Sequence, residues 1–558
     1  MSNTTSRGWP AHLQGPLTIP ATNLFHNAEV SAARFPDKPF LVFYDTPITF
    51  AEFKDEAECI AGYLQHECGV QAGDRVLLYM QNSPQWVLAY YGILRANAVV
   101  VPVNAMNTTE ELRHYVEDSG ARTIFVAQDL YRNIEPLLSN EEGEGLRHAI
   151  VATYSDYLRI PPSLSPPEFV TAAREISGRG AVAWVDALAA RCKPGPLTAG
   201  PDDLCVMPYT SGTTGKPKGC MHTHRSVMHT AVASVQWIDA DQDMTVMTIL
   251  PFFHVTGMQG GMNGPLYCGA TIILMSRWDR DVAARAIEQY QVTVWSAIST
   301  MMVDFLANPK LGDYDLSSLQ SLRGGGAAMP AALVKKLKDL VGIDYVEGYG
   351  MSETIAATHF NPQQRPKAQC LGIPMFDLEA RIVDPETLLE VEPGLTGEII
   401  VHGRQVMQGY WRNPEATREA FIEIDGKRFL RTGDLARIDE DGYYFMTDRL
   451  KRMINASGYK VWPAEVEALM YQHEAIKEVC VIAARDARRG ETVKALVVLH
   501  SNHVGNVTAD DIFAWAREHM ASYKVPRIVE FVSELPKSAS GKILWRQLQE
   551  ETCAAAQV

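Results

Sequence analysis

The sequence predicts an α/β protein with a large N-terminal domain of α/β subdomains and a small C-terminal α/β domain. Over the first third, short and wholly apolar runs alternate with helix-length segments, and the alternation resumes beyond a basic connector near residue 450. At 558 residues the chain also exceeds what one hydrophobic core usually serves. Short runs apolar at every position suit strands buried on both faces of a parallel sheet, with crossover helices covering those faces.

Val76-Leu-Leu-Tyr-Met80, Ala98-Val-Val-Val-Pro-Val103 and Thr123-Ile-Phe-Val126 read as such strands. Between the first two, residues 84–96 read as a helix. Ser83 is placed to cap it, and Pro84 fits the first helical position, where no N–H partner is needed. Thr108 and Glu111 have capping-box spacing before the next helix, which Gly120 can stop. Residues 139–200, rich in Pro, Ser, Glu and Gly, read as loop-heavy without marking a domain boundary. A second α/β region is expected to begin near residue 209, with Thr271-Ile-Ile-Leu-Met275 as one strand. The sharper boundary is expected near Asp448-Arg-Leu-Lys451, giving domains 1–450 and 451–558. Beyond it, helices over 463–472 and 510–520 and strands near 479–483 and 495–499 suffice for a small α/β domain.

Hydrophobic residues make up 46% and charged residues 21%, which is ordinary globular composition rather than disorder. A net charge of −15 argues against broad nucleic-acid binding but leaves room for an anionic cofactor held by local geometry. Nine cysteines, scattered without a CxxC pair, fit a reducing compartment. No secretory signal or membrane-spanning run is found, so a cytoplasmic protein is expected, with peripheral membrane contact and a homodimer left open.

The chemistry is concentrated in Tyr209-Thr-Ser-Gly-Thr-Thr-Gly-Lys-Pro-Lys-Gly219, which packs hydroxyls, glycines and two lysines into one loop. Glycines let backbone N–H groups close on an anion, and hydroxyls and ammonium groups complete a polyphosphate cradle. It is not a Walker A loop, because Thr210 stands five before Gly215 and Pro217 follows the lysine. Gly324-Gly-Gly-Ala-Ala-Met-Pro330 permits close approach by a flat ligand or an acyl chain. Glu347-Gly-Tyr-Gly-Met-Ser-Glu353 offers an aromatic platform, a hydroxyl and an acid. Arg431-Thr-Gly-Asp434 suits paired ribose hydroxyls, and Pro536-Lys-Ser-Ala-Ser-Gly-Lys542 holds a lysine in a flexible turn. Each alone also reads as turn, packing or solvation.

Taken in order, these motifs closely resemble the series of the adenylate-forming superfamily of acyl-CoA synthetases, luciferases and peptide-synthetase adenylation domains. The resemblance covers essentially the whole chain. It implies that a carboxylic acid is joined to the α-phosphate of ATP, expelling pyrophosphate, and is then passed to the thiol of coenzyme A. By resemblance, Thr210, Ser211, Gly212, Thr213, Thr214, Gly215 and Lys216 hold the terminal phosphates, and Glu353 helps to hold Mg2+. Gly326, Ala327 and Ala328 with Glu347, Gly348, Tyr349, Gly350 and Met351 surround adenine, Ser352 contacts the α-phosphate, and Asp434 and Arg449 take the ribose. Lys542 is the implied adenylation catalyst and Lys451 the implied hinge of a small mobile C-terminal α/β domain. Ser457, Gly458 and Tyr459 then face CoA.

His254, in Pro251-Phe-Phe-His-Val-Thr-Gly257, either gates the carboxylate pocket or packs in an aromatic loop. It stands where peptide-synthetase domains usually place an aspartate, and no carrier domain follows Lys542, so free CoA is the expected acceptor. His222 and His224 alone are poor evidence of a metal site. Met258, Met262, Met301, Met302, Val303 and Phe305 line an acyl channel or belong to the core. The stretch from Asp448 to Gly458 looks like bacterial medium- and long-chain fatty acyl-CoA ligases. An aromatic or branched acid is the alternative substrate, and a luciferase-like oxygenase or a non-catalytic nucleotide-binding regulator the alternative function.

Overall fold

Strands buried on both faces do build this molecule, and they build two sheets in its larger part. The computed structural model describes residues 9, 13, 17–139, 145–176, 178, 180–210, 216–325, 329–456, 459–486, 490–537 and 543–555. The chain divides into two compact units, Met1–Glu379 with Val401–Leu430, and Ala380–Ile400 with Arg431–Val558.

In the first unit a seven-stranded sheet has the order His222–Thr223, Leu204–Val206, Val99–Pro102, Arg75–Tyr79, Thr123–Ala127, His148–Ala152, Ala181–Ala183. All neighbours are parallel except the outermost His222–Thr223. The helix Pro84–Arg95 starts as expected, with Ser83 Oγ accepting the Trp86 N–H at 3.1 Å. The Glu111 carboxylate accepts the Thr108 N–H at 2.7 Å, and Gly120 ends that helix at φ 69°. The loop-heavy segment 139–200 still contributes two strands, because His148–Ala152 and Ala181–Ala183 both pair within this sheet. Their Pro- and Ser-rich surroundings mask them, and pairing with a formed neighbour, not composition, makes them strands.

A nine-stranded sheet has the order Ile373–Pro374, Ala356–Phe360, Tyr345–Met351, Ser321–Gly325, Val294–Ser296, Thr245–Thr248, Thr271–Leu274, Pro39–Phe43, Thr46–Thr49. From Tyr345–Met351 to Pro39–Phe43 the neighbours are parallel. The chain runs outward from Thr245–Thr248 to Thr271–Leu274, then returns to Val294–Ser296 on the other side. Loops leaving the carboxyl ends of strands at such a reversal diverge and open a crevice, where α/β sheets bind ligands. Helix His224–Trp237 is capped by Thr223 Oγ1, and a π-helical segment, Gln259–Asn263, joins two short helices.

Strand Lys427–Ile438 runs from the first unit into the second, where it pairs antiparallel with Tyr444–Arg449 and sets Asp434 opposite Arg449. A five-stranded sheet orders Tyr459–Val461, Ile454–Ala456, Gly490–Leu499 and Ile476–Asp486, with Ile528–Phe531 parallel to Gly490–Leu499. Helices Pro463–Met470, Ala509–His519 and Trp545–Ala555 accompany it. The hairpin of Ile476–Asp486 and Gly490–Leu499 is far longer than the apolar runs that announce it.

Candidate active site

Three motifs far apart in sequence leave the carboxyl edge of the nine-stranded sheet. Ser321–Gly325 ends in the glycine motif, its parallel neighbour Tyr345–Met351 ends at Ser352-Glu353, and Thr245–Thr248 leads into the His254 loop. Within the second of these, a Cβ on Gly350 would lie 1.8 Å from the Ala356 carbonyl oxygen, so only glycine fits there.

Glu347 is buried, and its carboxylate accepts the N–H groups of Met329 at 2.6 Å and Cys370 at 3.2 Å. Burial raises its pKa, and these backbone donors oppose the shift. It thus braces the chain just past the glycine turn, whose positions 326, 327 and 328 lie outside the described residues. The Tyr349 ring stands 5.8 Å from that of His359 at 56°.

Ser352 and Glu353 are held by residues the sequence does not mark. The buried His222 donates Nε2–H to the Ser352 carbonyl at 2.7 Å, a bond that fixes its tautomer because a carbonyl can only accept. Burial pushes this imidazole down to about 4, so it is neutral at ordinary pH. The buried Glu353 accepts the Tyr410 hydroxyl at 2.8 Å through Oε1, and its carbonyl accepts the Met407 N–H at 2.8 Å. Directly beyond, Ile355 sits at φ 46°, a left-handed conformation that a β-branched residue adopts only under constraint.

The phosphate-loop motif is pinned beside them. Tyr209–Thr210 pairs antiparallel with Lys218–Gly219, while 211–215 lie outside the described residues. Tyr209 donates to Asp118 at 2.6 Å, and His114 Nε2 bonds the Pro217 carbonyl at 2.7 Å. The Lys218 ammonium stands 4.1 Å from the centroid of the Tyr410 ring, the ring whose hydroxyl holds Glu353. Gly219 accepts the Trp411 N–H at 2.8 Å. The base of the loop and the Glu353 carboxylate therefore share one support. A motif rich in hydroxyls and lysines, whose base shares its support with a buried acid, suits a polyphosphate and its cation.

His254 is exposed, and its Nδ1 accepts the Thr256 N–H at 3.3 Å. Of the residues suggested for an acyl channel, Met258, Met262, Met302 and Phe305 are buried, whereas Val303 is 51% exposed. His224 Nδ1 accepts the Leu24 N–H at 3.0 Å in the core. Among the described residues no group of three His, Cys, Asp or Glu could hold a metal by itself.

In the second unit, Asp434 is buried and paired with Arg449 Nε at 3.2 Å. Asp448, also buried, accepts the Arg449 and Ala464 N–H groups, each at 2.6 Å, and so holds the first turn of helix Pro463–Met470. Lys451 lies in the turn Leu450–Arg452. Arg452 grips Glu467 of the same helix with both terminal nitrogens, donates to the Val481 carbonyl at 3.1 Å, and lies 5.6 Å from the Trp545 ring centroid. Tyr459 pairs with Ala456, while Ser457, Gly458 and Lys542 lie outside the described residues.

Comparison with known proteins accords with this geometry. Residues 28–411 match the AMP-binding enzyme family, and 465–542 match the AMP-binding enzyme C-terminal domain. The chain belongs to the AMP-binding enzyme family. It is 36% identical over 554 residues to a long-chain-fatty-acid–CoA ligase of Bacillus subtilis (strain 168), covering 97% of each chain. It is 34% identical to a feruloyl-CoA synthase of an Amycolatopsis species, covering 89% of this chain and 93% of that one. The crystal structure of an anthranilate CoA ligase with anthranoyl-AMP superimposes with a TM-score of 0.82 at 27% identity, covering 97% and 99%. No described helix is long and apolar enough to cross a membrane.

Proposed function

We propose that this protein is an ATP-dependent acid–CoA ligase, forming an acyl-adenylate with release of pyrophosphate and then an acyl-CoA thioester. The observation that carries the reading is the shared support of the phosphate loop and Glu353 through Tyr410 and Lys218. A carboxylate attacking a phosphate meets like charge, so alignment and positive charge must do most of the catalysis. Thr210 to Lys216 would grip the terminal phosphates, Ser352 the α-phosphate, and Tyr349 the adenine. Asp434, beside Arg449, would take the ribose hydroxyls. Mg2+, held through Glu353, would neutralise phosphate charge. Lys542 would bridge carboxylate and phosphate oxygens as they meet. His254, exposed after the strand at the sheet reversal, would border the carboxylate pocket.

The N-terminal part, 1–450, would then hold both substrates, and 451–558 would turn about Lys451 to exchange Lys542 for the segment at Ser457, Gly458 and Tyr459. A cytoplasmic setting suits the cysteines, eight of the nine being described as free thiols. A fatty acid is the substrate that the Bacillus subtilis relative favours, and an aromatic acid is favoured by the feruloyl-CoA synthase.

CoA-dependent AMP formation with ATP and Mg2+ on acetate, octanoate, palmitate, benzoate and phenylacetate tests this. Each buried methylene is worth about 0.8 kcal/mol, so a fatty-acid tunnel predicts a steep rise in kcat/KM with chain length. Oxygen uptake after adenylation would mark an oxygenase, and ATP binding without pyrophosphate release a regulator.

A further inference from the structure

One cavity of the first unit stands apart from the motifs, between helix His224–Trp237, the π segment Gln259–Asn263 and one face of the nine-stranded sheet. Val235, Ile238, Met244 and Val246 give it apolar walls, with Gly260 on the π side. Into that lining comes Arg323, the third residue of strand Ser321–Gly325. Val246 stands two residues before the end of the strand that leads to His254, so the cavity begins roughly 7 Å below the carboxyl edge.

Arg323 has no visible structural employment. It is 9% exposed, its Nε is buried without a hydrogen-bond partner, and among the described residues no carboxylate pairs with its guanidinium. Its titratable neighbour, the Cys268 thiol, is pushed up to about 11 by burial and is neutral. Burial brings Arg323 itself down to about 10, which leaves it charged at neutral pH. Buried cations are almost always paired, because an isolated one is costly. A hydrocarbon chain would do nothing for it. The cavity of about 20 Å³ has room for one oxygen-sized group, and a Cβ on Gly260 would meet nothing within 4 Å, so its π-helical wall has slack.

We propose that Arg323 determines specificity by receiving an oxygen acceptor, a second carboxylate or a hydroxyl, carried at the end of the acid remote from the carboxylate being activated. This rests on the acid–CoA ligase reading and narrows it, and it fits an aliphatic or an aromatic skeleton.

Three matched pairs test it by CoA-dependent AMP release: octanoate against suberate, octanoate against 8-hydroxyoctanoate, and benzoate against 4-hydroxybenzoate. The wild type is expected to favour an oxygenated member by at least about tenfold in kcat/KM, and the responding pair separates carboxylate from hydroxyl. Arg323→Lys should keep that preference, and Arg323→Met should abolish or reverse it while still using the plain acid. A merely structural arginine would lower both members of a pair alike. Preference for the plain acid in every pair, or a ratio unchanged in Arg323→Met, overturns the proposal and leaves the ligase reading standing. AMP from none of the acids overturns both. Should Arg323→Met fail to fold, the wild-type ratios and Arg323→Lys decide the matter.

Discussion

Tyr410 joins two features that the sequence sets 135 positions apart. Its hydroxyl holds Glu353 and its ring meets Lys218. A hydrogen bond to a charged group is worth about 1.5–3 kcal/mol, so Tyr410→Phe should weaken Mg·ATP binding by roughly ten- to a hundredfold. The measurement is KM for Mg·ATP with kcat little changed, and an unaltered KM would contradict the assignment. For Lys542, whose proposed role is charge neutralisation as the reactants meet, Lys542→Ala should slow adenylation on the order of 10²–10³-fold. Thioester formation from supplied acyl-AMP should fall far less, and equal losses would refute the role. Ser352, Glu353 and Asp434 are legible because each stands in a short motif with its glycines. His222 and Tyr410 are not, since only the folded chain brings them to residues 352 and 353. Arg323 directly precedes Gly324, yet as a string it reads as one more strand residue.

Helix Pro463–Met470 is fastened at both ends of the short turn that holds Lys451. Asp448 holds its first turn and Arg452 grips Glu467 within it. Losing one partner of a buried ion pair costs about 3–5 kcal/mol, whereas apolar replacement of both is often neutral or stabilising. Urea unfolding should therefore show Arg452→Met strongly destabilised and Arg452→Met with Glu467→Met largely restored. The same fastening bears on the proposed hinge. Proline locks φ and removes a donor, so Lys451→Pro should spare adenylation and slow thioester formation, and an unchanged second half-reaction would argue against a hinge there. At this scale the sequence is a good guide wherever a cap is local, as at Ser83, Thr108 and Gly120. It is silent at His148–Ala152, where the decisive information lies in the neighbouring strand.

Across the whole molecule, the alternation of apolar runs and helices was enough to read the α/β class, but not which strands are neighbours. The reversal beside Thr245–Thr248 is a fact of topology alone. Burial has a further, collective effect on the histidines. His222, His224 and His229 are held at about 4 and His359 at about 3, against 6.5 when exposed. Between pH 6.5 and 4 the unfolded chain takes up protons that the folded chain refuses. Their stabilisation is thus complete above 6.5 and is lost as pH falls towards 4, at up to about 1.4 kcal/mol per pH unit for each. Denaturant midpoints at pH 7, 6 and 5 should fall steeply, and His229→Gln should flatten the fall. A flat profile would rule this out.

The chain passes from one compact unit to the other after Glu379, after Ile400 and after Leu430. A protease that nicks any one of these crossings leaves two continuous links in place, so the fragments should stay together until denatured. A chimera joined at residue 450 would leave 380–400 and 431–450 with the wrong parent. Grafts that respect the folding unit need three junctions.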